Sequence, residues 1–135
     1  MRATGIFEVS TFAPTTVGPE PAVTTALPVG VATMEKKYEG EIVGHSATLF
    51  TSAFDPERGV GTYVAMESFE GTVDGRSGAF NFVHSATTRG TNREGEFFAI
   101  VPASGTGELA GIAGAGGMVV DTDGTHRIWF DYELA

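Results

Sequence analysis

Apolar and polar residues alternate with a period of two along most of the chain, the spacing of strands that bury one face. The C-terminal segment is the clearest case. Ile128, Phe130, Tyr132 and Leu134 fall on one face, and Arg127, Asp131 and Glu133 on the other. This is the pattern of a half-buried antiparallel strand. Trp129 breaks it from the polar face, as a side chain under a loop or at a subunit contact would. Turn residues punctuate the alternation. Asp121-Thr-Asp-Gly-Thr125 separates two apolar runs, and Asp-Gly in that setting marks a hairpin. Asp74-Gly-Arg-Ser-Gly78 does the same between strands predicted over 62–73 and 79–88, and Gly40 divides 36–38 from 41–51. Further strands are predicted over 5–12, with Phe7 and Val9 inward, and over 97–101.

Two stretches depart from this pattern. Residues 12–28 hold Pro14, Pro19, Pro21 and Pro28, four of the six prolines, and read as a long loop or an edge approach. Residues 104–117 are rich in glycine. Gly105-Thr-Gly-Glu-Leu-Ala110 satisfies a dinucleotide-type glycine pattern, but that chemistry needs a helix crossing over a parallel sheet, and the next strand begins within a few residues. The same segment reads better as a single helical turn near 106–113, capped by Thr106, with Leu109 and Ile112 plugging one end of a β structure. The chain is thus all-β, with seven or eight strands joined by hairpins. A sandwich and a closed antiparallel barrel both satisfy the alternation.

Composition narrows the partners. The chain has 135 residues, enough for one domain over 1–135 with its own core. It has no cysteine, which excludes disulfides, thiolate metal sites and a cysteine nucleophile. Eight Lys and Arg against 17 Asp and Glu, a net charge of −9, exclude a nucleic-acid partner. Glu8 interrupts any leader-like apolar run, and no stretch of apolar residues is long enough for a membrane helix. No membrane partner and a cytoplasmic location are the resulting expectations. No cofactor is implied. The three histidines lack metal-ligand spacing, Asp121-x-Asp123-Gly lacks the remaining ligands of a calcium loop, and no Gly-x-Ser-x-Gly nucleophile motif occurs.

Several blocks together resemble a known family. They are Tyr63-Val-Ala-Met-Glu-Ser-Phe-Glu-Gly-Thr-Val-Asp-Gly-Arg-Ser-Gly-Ala-Phe80, then His84, then Val101-Pro-Ala-Ser-Gly-Thr-Gly-Glu-Leu-Ala-Gly-Ile-Ala-Gly114, then Phe130-Asp-Tyr132. The combination is similar to the bacterial domain of unknown function 3224 family. The resemblance implies an eight-stranded antiparallel barrel like that of allene oxide cyclase, of lipocalin-like form, and brings no established activity. Barrels of this type bind lipophilic small molecules in the lumen, and several are cyclases. Both are analogies from fold.

On such a barrel, Phe80, Phe82 and His84 share one face of a strand, and Tyr63, Glu67, Phe69 and Val73 share a face of the preceding one. Tyr132 lies with Phe130 and Leu134. The aromatic residues mark these faces as interior. The expected lumen is lined for an apolar or aromatic ligand by Tyr63, Phe69, Phe80, Phe82 and Tyr132, with Glu67 and His84 as candidate acid–base residues. Burial should raise the pKa of Glu67. A structural role competes, in which Glu67 accepts hydrogen bonds from Tyr63 or backbone amides and holds the barrel closed. His45, on a face with Val43, Ala47 and Leu49, is a further inward candidate, whereas His126 abuts a turn and should face solvent. Three functions follow: a small-molecule binder, an isomerase or cyclase using Glu67 and His84, and a non-catalytic homo-oligomer using exposed apolar groups such as Trp129.

Overall fold

The computed structural model describes residues 1–135 and consists of eight strands and one short helical turn. The strands are β1 (Arg2–Pro14), β2 (Gly30–Gly40), β3 (Ile42–Asp55), β4 (Val60–Val73), β5 (Arg76–Arg89), β6 (Asn92–Ile100), β7 (Ala113–Val120) and β8 (His126–Glu133). Each pairs antiparallel with its chain neighbours, and β1 pairs with β8 to close the ring. The expected barrel is therefore present, and closure removes the sandwich alternative. No helix is long and apolar enough to cross a membrane.

Local chemistry explains the connections. The β4–β5 hairpin turns on Asp74 and Gly75 alone, both at positive φ (49° and 80°), the backbone of a turn that follows strand twist. Arg76 and Ser77, expected in the turn, instead pair with Val73 and Thr72. The strands run longer than predicted because pairing carries them past the apolar alternation. Thus β6 begins at Asn92 rather than at residue 97. The proline segment read as a loop over 12–28 begins later than expected: Phe12, Ala13 and Pro14 still pair in β1 with Met34, Thr33 and Ala32, and only the stretch beyond them up to β2 forms no strand.

The helical turn is shorter than expected, a 3-10 turn over Gly107–Leu109, with Ala113 already in β7. Thr106 makes no side-chain cap. Its hydroxyl accepts from the Ala79 amide at 3.0 Å, and its own amide bonds the Ala79 carbonyl at 2.8 Å, so it fastens the turn to β5. Leu109 and Ile112 are buried and close one end of the barrel, as the sequence suggested.

The lumen has two unlike halves. Beneath the plug it is filled. Phe69, Phe80, Phe82 and Phe130 form an aromatic core with centroids 5.2–5.3 Å apart in the pairs Phe69–Phe80, Phe80–Phe130 and Phe82–Phe130. Ile42, Val73, Ile100, Ile128 and Tyr132 complete this packing. The other half is not filled.

The ring is also uneven around its circumference. β3 and β4 pair from Ile42↔Val73 to Asp55↔Val60, whereas β6 meets β7 only at Ala99↔Ala115. At that joint β7 is nearly bare, reading Ala113-Gly-Ala-Gly-Gly117. A Cβ at Gly117 would stand 2.2 Å from the Trp129 ring, so the indole lies directly on the glycine backbone. This accounts for the tryptophan on the polar face. It is half-buried over β7, with the Arg2 guanidinium 5.5 Å from its ring.

Leu109→Ala is expected to lower unfolding free energy by about 3 kcal/mol, the usual loss for a buried leucine. Urea denaturation followed by circular dichroism measures it. A loss below about 1 kcal/mol would show that the plug is not part of the cooperative core.

Candidate functional site

A buried polar cluster lies between the filled and open halves. Strand alternation builds it. β4 turns Tyr63, Ala65, Glu67 and Phe69 inward, β5 turns Phe80, Phe82 and His84 inward, β2 contributes Lys36 and Tyr38, and β3 contributes Ser46 and Thr48. Register brings them level, with Thr48 opposite Glu67, Ala65 opposite His84 and Lys36 opposite Ser46.

Glu67 is the hub, with no exposed surface. Its Oε2 accepts from Lys36 Nζ at 2.6 Å and from His84 Nε2. Its Oε1 accepts from Tyr38 Oη at 2.7 Å and Ser46 Oγ at 2.8 Å. With both oxygens doubly engaged, the buried hydroxyl of Thr48 is left without a partner. Lys36 is just as enclosed, its ammonium 4.6 Å from the Phe7 ring centre.

From the hub a line of hydrogen bonds runs outward. A carboxylate only accepts, so His84 Nε2 carries the proton and Nδ1 is the acceptor of the neutral ring. Tyr63 Oη lies 2.9 Å from Nδ1 and donates to it. Tyr63 in turn accepts from Arg93 Nη2 at 3.0 Å, and Arg93 Nε donates to Glu96 at 2.8 Å.

The electrostatics reverse one expectation. Burial pushes the Glu67 pKa up, but the hydrogen bond from His84 and the charge of Lys36 outweigh it and lower the value from 4.5 to about 2. Burial does not make Glu67 a proton donor near neutrality, because four donors are buried with it. His84 is pushed below its ordinary value, chiefly by burial and further by Lys36 and Arg93, against the pull of Glu67. Tyr63 is raised by burial against the opposing influence of Arg93, which keeps its phenol protonated. The group that meets the lumen is therefore Tyr63, backed by neutral His84, with Glu67 fixed behind as an anion.

Above this floor is a cavity of about 250 Å³ lined by Phe7, Val9, Met34, Lys36, Phe50, Tyr63, His84, Arg93, Met118, Val119, Val120 and His126. A second cavity of about 130 Å³ opens at the β6–β7 joint and shares His84, Arg93 and Met118 with the first. A third, of about 250 Å³, lies on the far side of the stacked Phe50–Tyr63 pair, whose centroids are 5.1 Å apart. The largest hollows, about 610 and 680 Å³, are formed by other residues, among them Glu39, Glu41, Arg127 and Trp129 in one and Met1, Arg2 and Asp131 in the other. None of the polar cluster lines either of them.

The residues proposed from sequence separate into two groups. Tyr63 and His84 line the cavity, and Glu67 lies beneath it. Phe69, Phe80, Phe82 and Tyr132 belong to the filled half. Tyr132 donates to Asp74 Oδ2 at 2.5 Å, and burial together with that bond raises its pKa to about 12. His45 is exposed, 3.7 Å from Glu70, because β3 turns Ser46 and Thr48 inward instead. Val9 is 41% exposed at the rim, next to the register shift between Val9 and Thr11. His126 does not face solvent as expected. It is half-buried with its ring 5.1 Å from Phe7, on the cavity wall.

Sequence reasoning missed Lys36, Tyr38, Ser46, Met34, Phe50 and Arg93. Lys36 had a signal, since Ala32, Met34, Lys36 and Tyr38 share one face of β2, where a lysine among apolar residues needs a buried partner. Arg93 had none. Its place depends on the β5–β6 hairpin and the register shift between Ser85 and Thr87.

The sequence profile of a family described as protein of unknown function (DUF3224) matches residues 3–132. A solved structure, of a protein with unknown function from the DUF3224 family from Shewanella oneidensis MR-1, is 27% identical, with 100% of this chain and 98% of that chain covered and a TM-score of 0.82. No curated protein matches the chain.

Two outcomes test the cluster. Both buried groups destabilise the fold in acid. The pKa of His84 is depressed, so its contribution is present above its ordinary 6.5 and is lost as pH falls below it. Glu67 contributes above 4.5, and that contribution, about 3 kcal/mol, is lost as pH falls toward about 2. Unfolding free energy measured from pH 7 to pH 2 should fall throughout, and an increase with acidification would contradict the assignment. Separately, Glu67→Gln leaves Lys36 buried without a counter-charge and should cost about 3–5 kcal/mol. Lys36→Met in the same chain should restore much of that loss. A double variant as unstable as the sum of the singles would mean that the two do not act as a pair.

Proposed function

The chain belongs to the DUF3224 family, and from that premise we propose that it binds one small apolar or aromatic molecule in the open half of its lumen. The observation that carries this reading is the cavity over the Glu67–His84 floor, with Phe7, Met34, Phe50, Tyr63 and Met118 on its wall. Aromatic and thioether walls with a few fixed polar groups at one end are the usual makeup of a ligand pocket. The filled aromatic half gives such a pocket a rigid base. Here Phe69, Phe80, Phe82 and Tyr132 support the site from below rather than touching the ligand.

A second reading is favoured by the hydrogen-bonded line Glu67–His84–Tyr63. A fixed carboxylate orienting a histidine that faces a hydroxyl is an arrangement suited to moving a proton. In this reading the protein is an isomerase or cyclase. Tyr63 gives its proton to one substrate atom as His84 Nδ1 takes up the proton lost from another, the proton on His84 then returns to the Tyr63 oxygen, and Glu67 holds the imidazole in one tautomer. Binding precedes this chemistry in either case.

The test of binding is an NMR titration with 2-naphthylmethanol, a neutral aromatic probe. Saturable shifts of the Met34 and Met118 methyls are expected. Met34→Trp, which fills the cavity, should abolish them while thermal unfolding stays cooperative. No saturable shift in the wild type, or undiminished binding in Met34→Trp, would overturn the reading.

A further inference from the structure

The cavity wall has a charge composition unlike the rest of the chain. Of 17 Asp and Glu residues none lines it, while of 8 Lys and Arg and 3 His residues four do, namely Lys36, Arg93, His84 and His126. In a protein of net charge −9 the wall of this cavity thus carries no carboxylate of its own, although Lys36 is paired with Glu67 beneath it and Arg93 with Glu96, which lines the adjoining cavity. The nearest carboxylate beneath, Glu67, is shielded by its four donors.

The four basic groups are not equivalent. Lys36 is committed to Glu67 at 2.6 Å. His84 is committed on both ring nitrogens, to Glu67 and to Tyr63. Arg93 is different. Its Nε donates to Glu96 and its Nη2 to Tyr63, which leaves the Nη1 edge of the guanidinium for another acceptor. Its side chain is 29% exposed, and it borders both the mouth cavity and the cavity at the β6–β7 joint. An arginine held by two bonds at a pocket wall, beside a phenol and an aromatic surface, matches the planar acceptor pair of a carboxylate. The net charge of the chain repels an anion at long range. Inside a partly dry pocket the close interaction outweighs that repulsion, which salt screens.

We infer that the ligand of the open lumen is an amphipathic monoanion, a small aromatic or apolar carboxylate whose charged end is held by Arg93 at the junction of the two cavities. This rests on the lumen-binding reading and adds to it the class of ligand and the residue that selects it. Phe7, Phe50 and Met34 receive the apolar body. The Nη1 edge of Arg93 then faces the carboxylate, while Tyr63, whose single proton goes to His84 Nδ1, holds Arg93 in place as its acceptor, and the buried ion pair below fixes both through His84.

The test compares two probes of the same shape, 2-naphthoate and 2-naphthylmethanol, by NMR titration at pH 7.5. Naphthoate should bind about tenfold more tightly than the alcohol, the order of advantage of a charge-assisted contact. In Arg93→Met the ratio of the two affinities should fall to about one, and Arg93→Lys should keep part of the preference. Far-UV circular dichroism establishes that each variant is folded. Equal binding of the two probes to the wild type overturns the anion assignment and leaves lumen binding standing. A naphthoate preference that survives in Arg93→Met overturns the role of Arg93. Binding of neither probe overturns the lumen reading itself, and the assignment with it.

Discussion

The structure depends on one ion pair sealed inside a barrel. A carboxylate and an ammonium with almost no exposed surface gain little net stability from each other, since each loses its hydration. Their effect lies in what they require of their surroundings. Glu67 on β4 reaches Lys36 and Tyr38 on β2, Ser46 on β3 and His84 on β5. Four consecutive strands are thereby fixed in one register, because a slip of one residue would turn these groups to the outside and leave charges unpaired within. The pair also sets a boundary. Below it the interior is aromatic and closed. Above it, side chains reach past the charged floor only as far as Phe7, Phe50 and Tyr63, and space remains.

That boundary governs the chemistry available. A buried acid alone would hold its proton near neutral pH, but this one is surrounded by donors and stays ionised. The group with access to the lumen is a phenol, oriented by an imidazole that the carboxylate orients in turn. The cluster is thus a scaffold first. Its polar outer end, with Arg93 bonded to Tyr63, is where recognition is concentrated.

The fold was legible because its signals are local. Period-two alternation in the segments around Phe69, Phe80 and Phe130 gave the strands, the Asp-Gly pairs gave two hairpins, and Leu109 with Ile112 gave the plug. The inward directions of Tyr63, Glu67 and His84 were readable from their phenylalanine neighbours on the same faces. His45 was misread for the same reason in reverse. The outer face of β3 carries Val43, Ala47 and Leu49, while its inner face carries Ser46 and Thr48 to serve Glu67, so hydrophobicity points the wrong way there. The pKa of Glu67 was beyond reach because it depends on which donors pairing brings across from β2 and β3. The site's outer wall, with Arg93 and His126, depends on hairpin geometry and on a register shift that no alternation records.

One feature of the ring bears on its motion. Every other pair of neighbouring strands is held by a run of paired residues, but β6 and β7 pair at Ala99 and Ala115 alone, with the Phe98 ring laid on Gly116 beside that point. Local opening of a protein follows the route that breaks the fewest buried contacts. In this barrel that route is a parting of β6 from β7, with Trp129 and the glycine run moving together as one leaf. Such a hinge-like parting widens the smaller cavity without disturbing the Glu67–Lys36 lock, which ties only β2 to β5. The barrel therefore has a closely paired arc and a sparsely paired one, and by this pairing an opening of the sparse arc costs less than an unfolding of the whole.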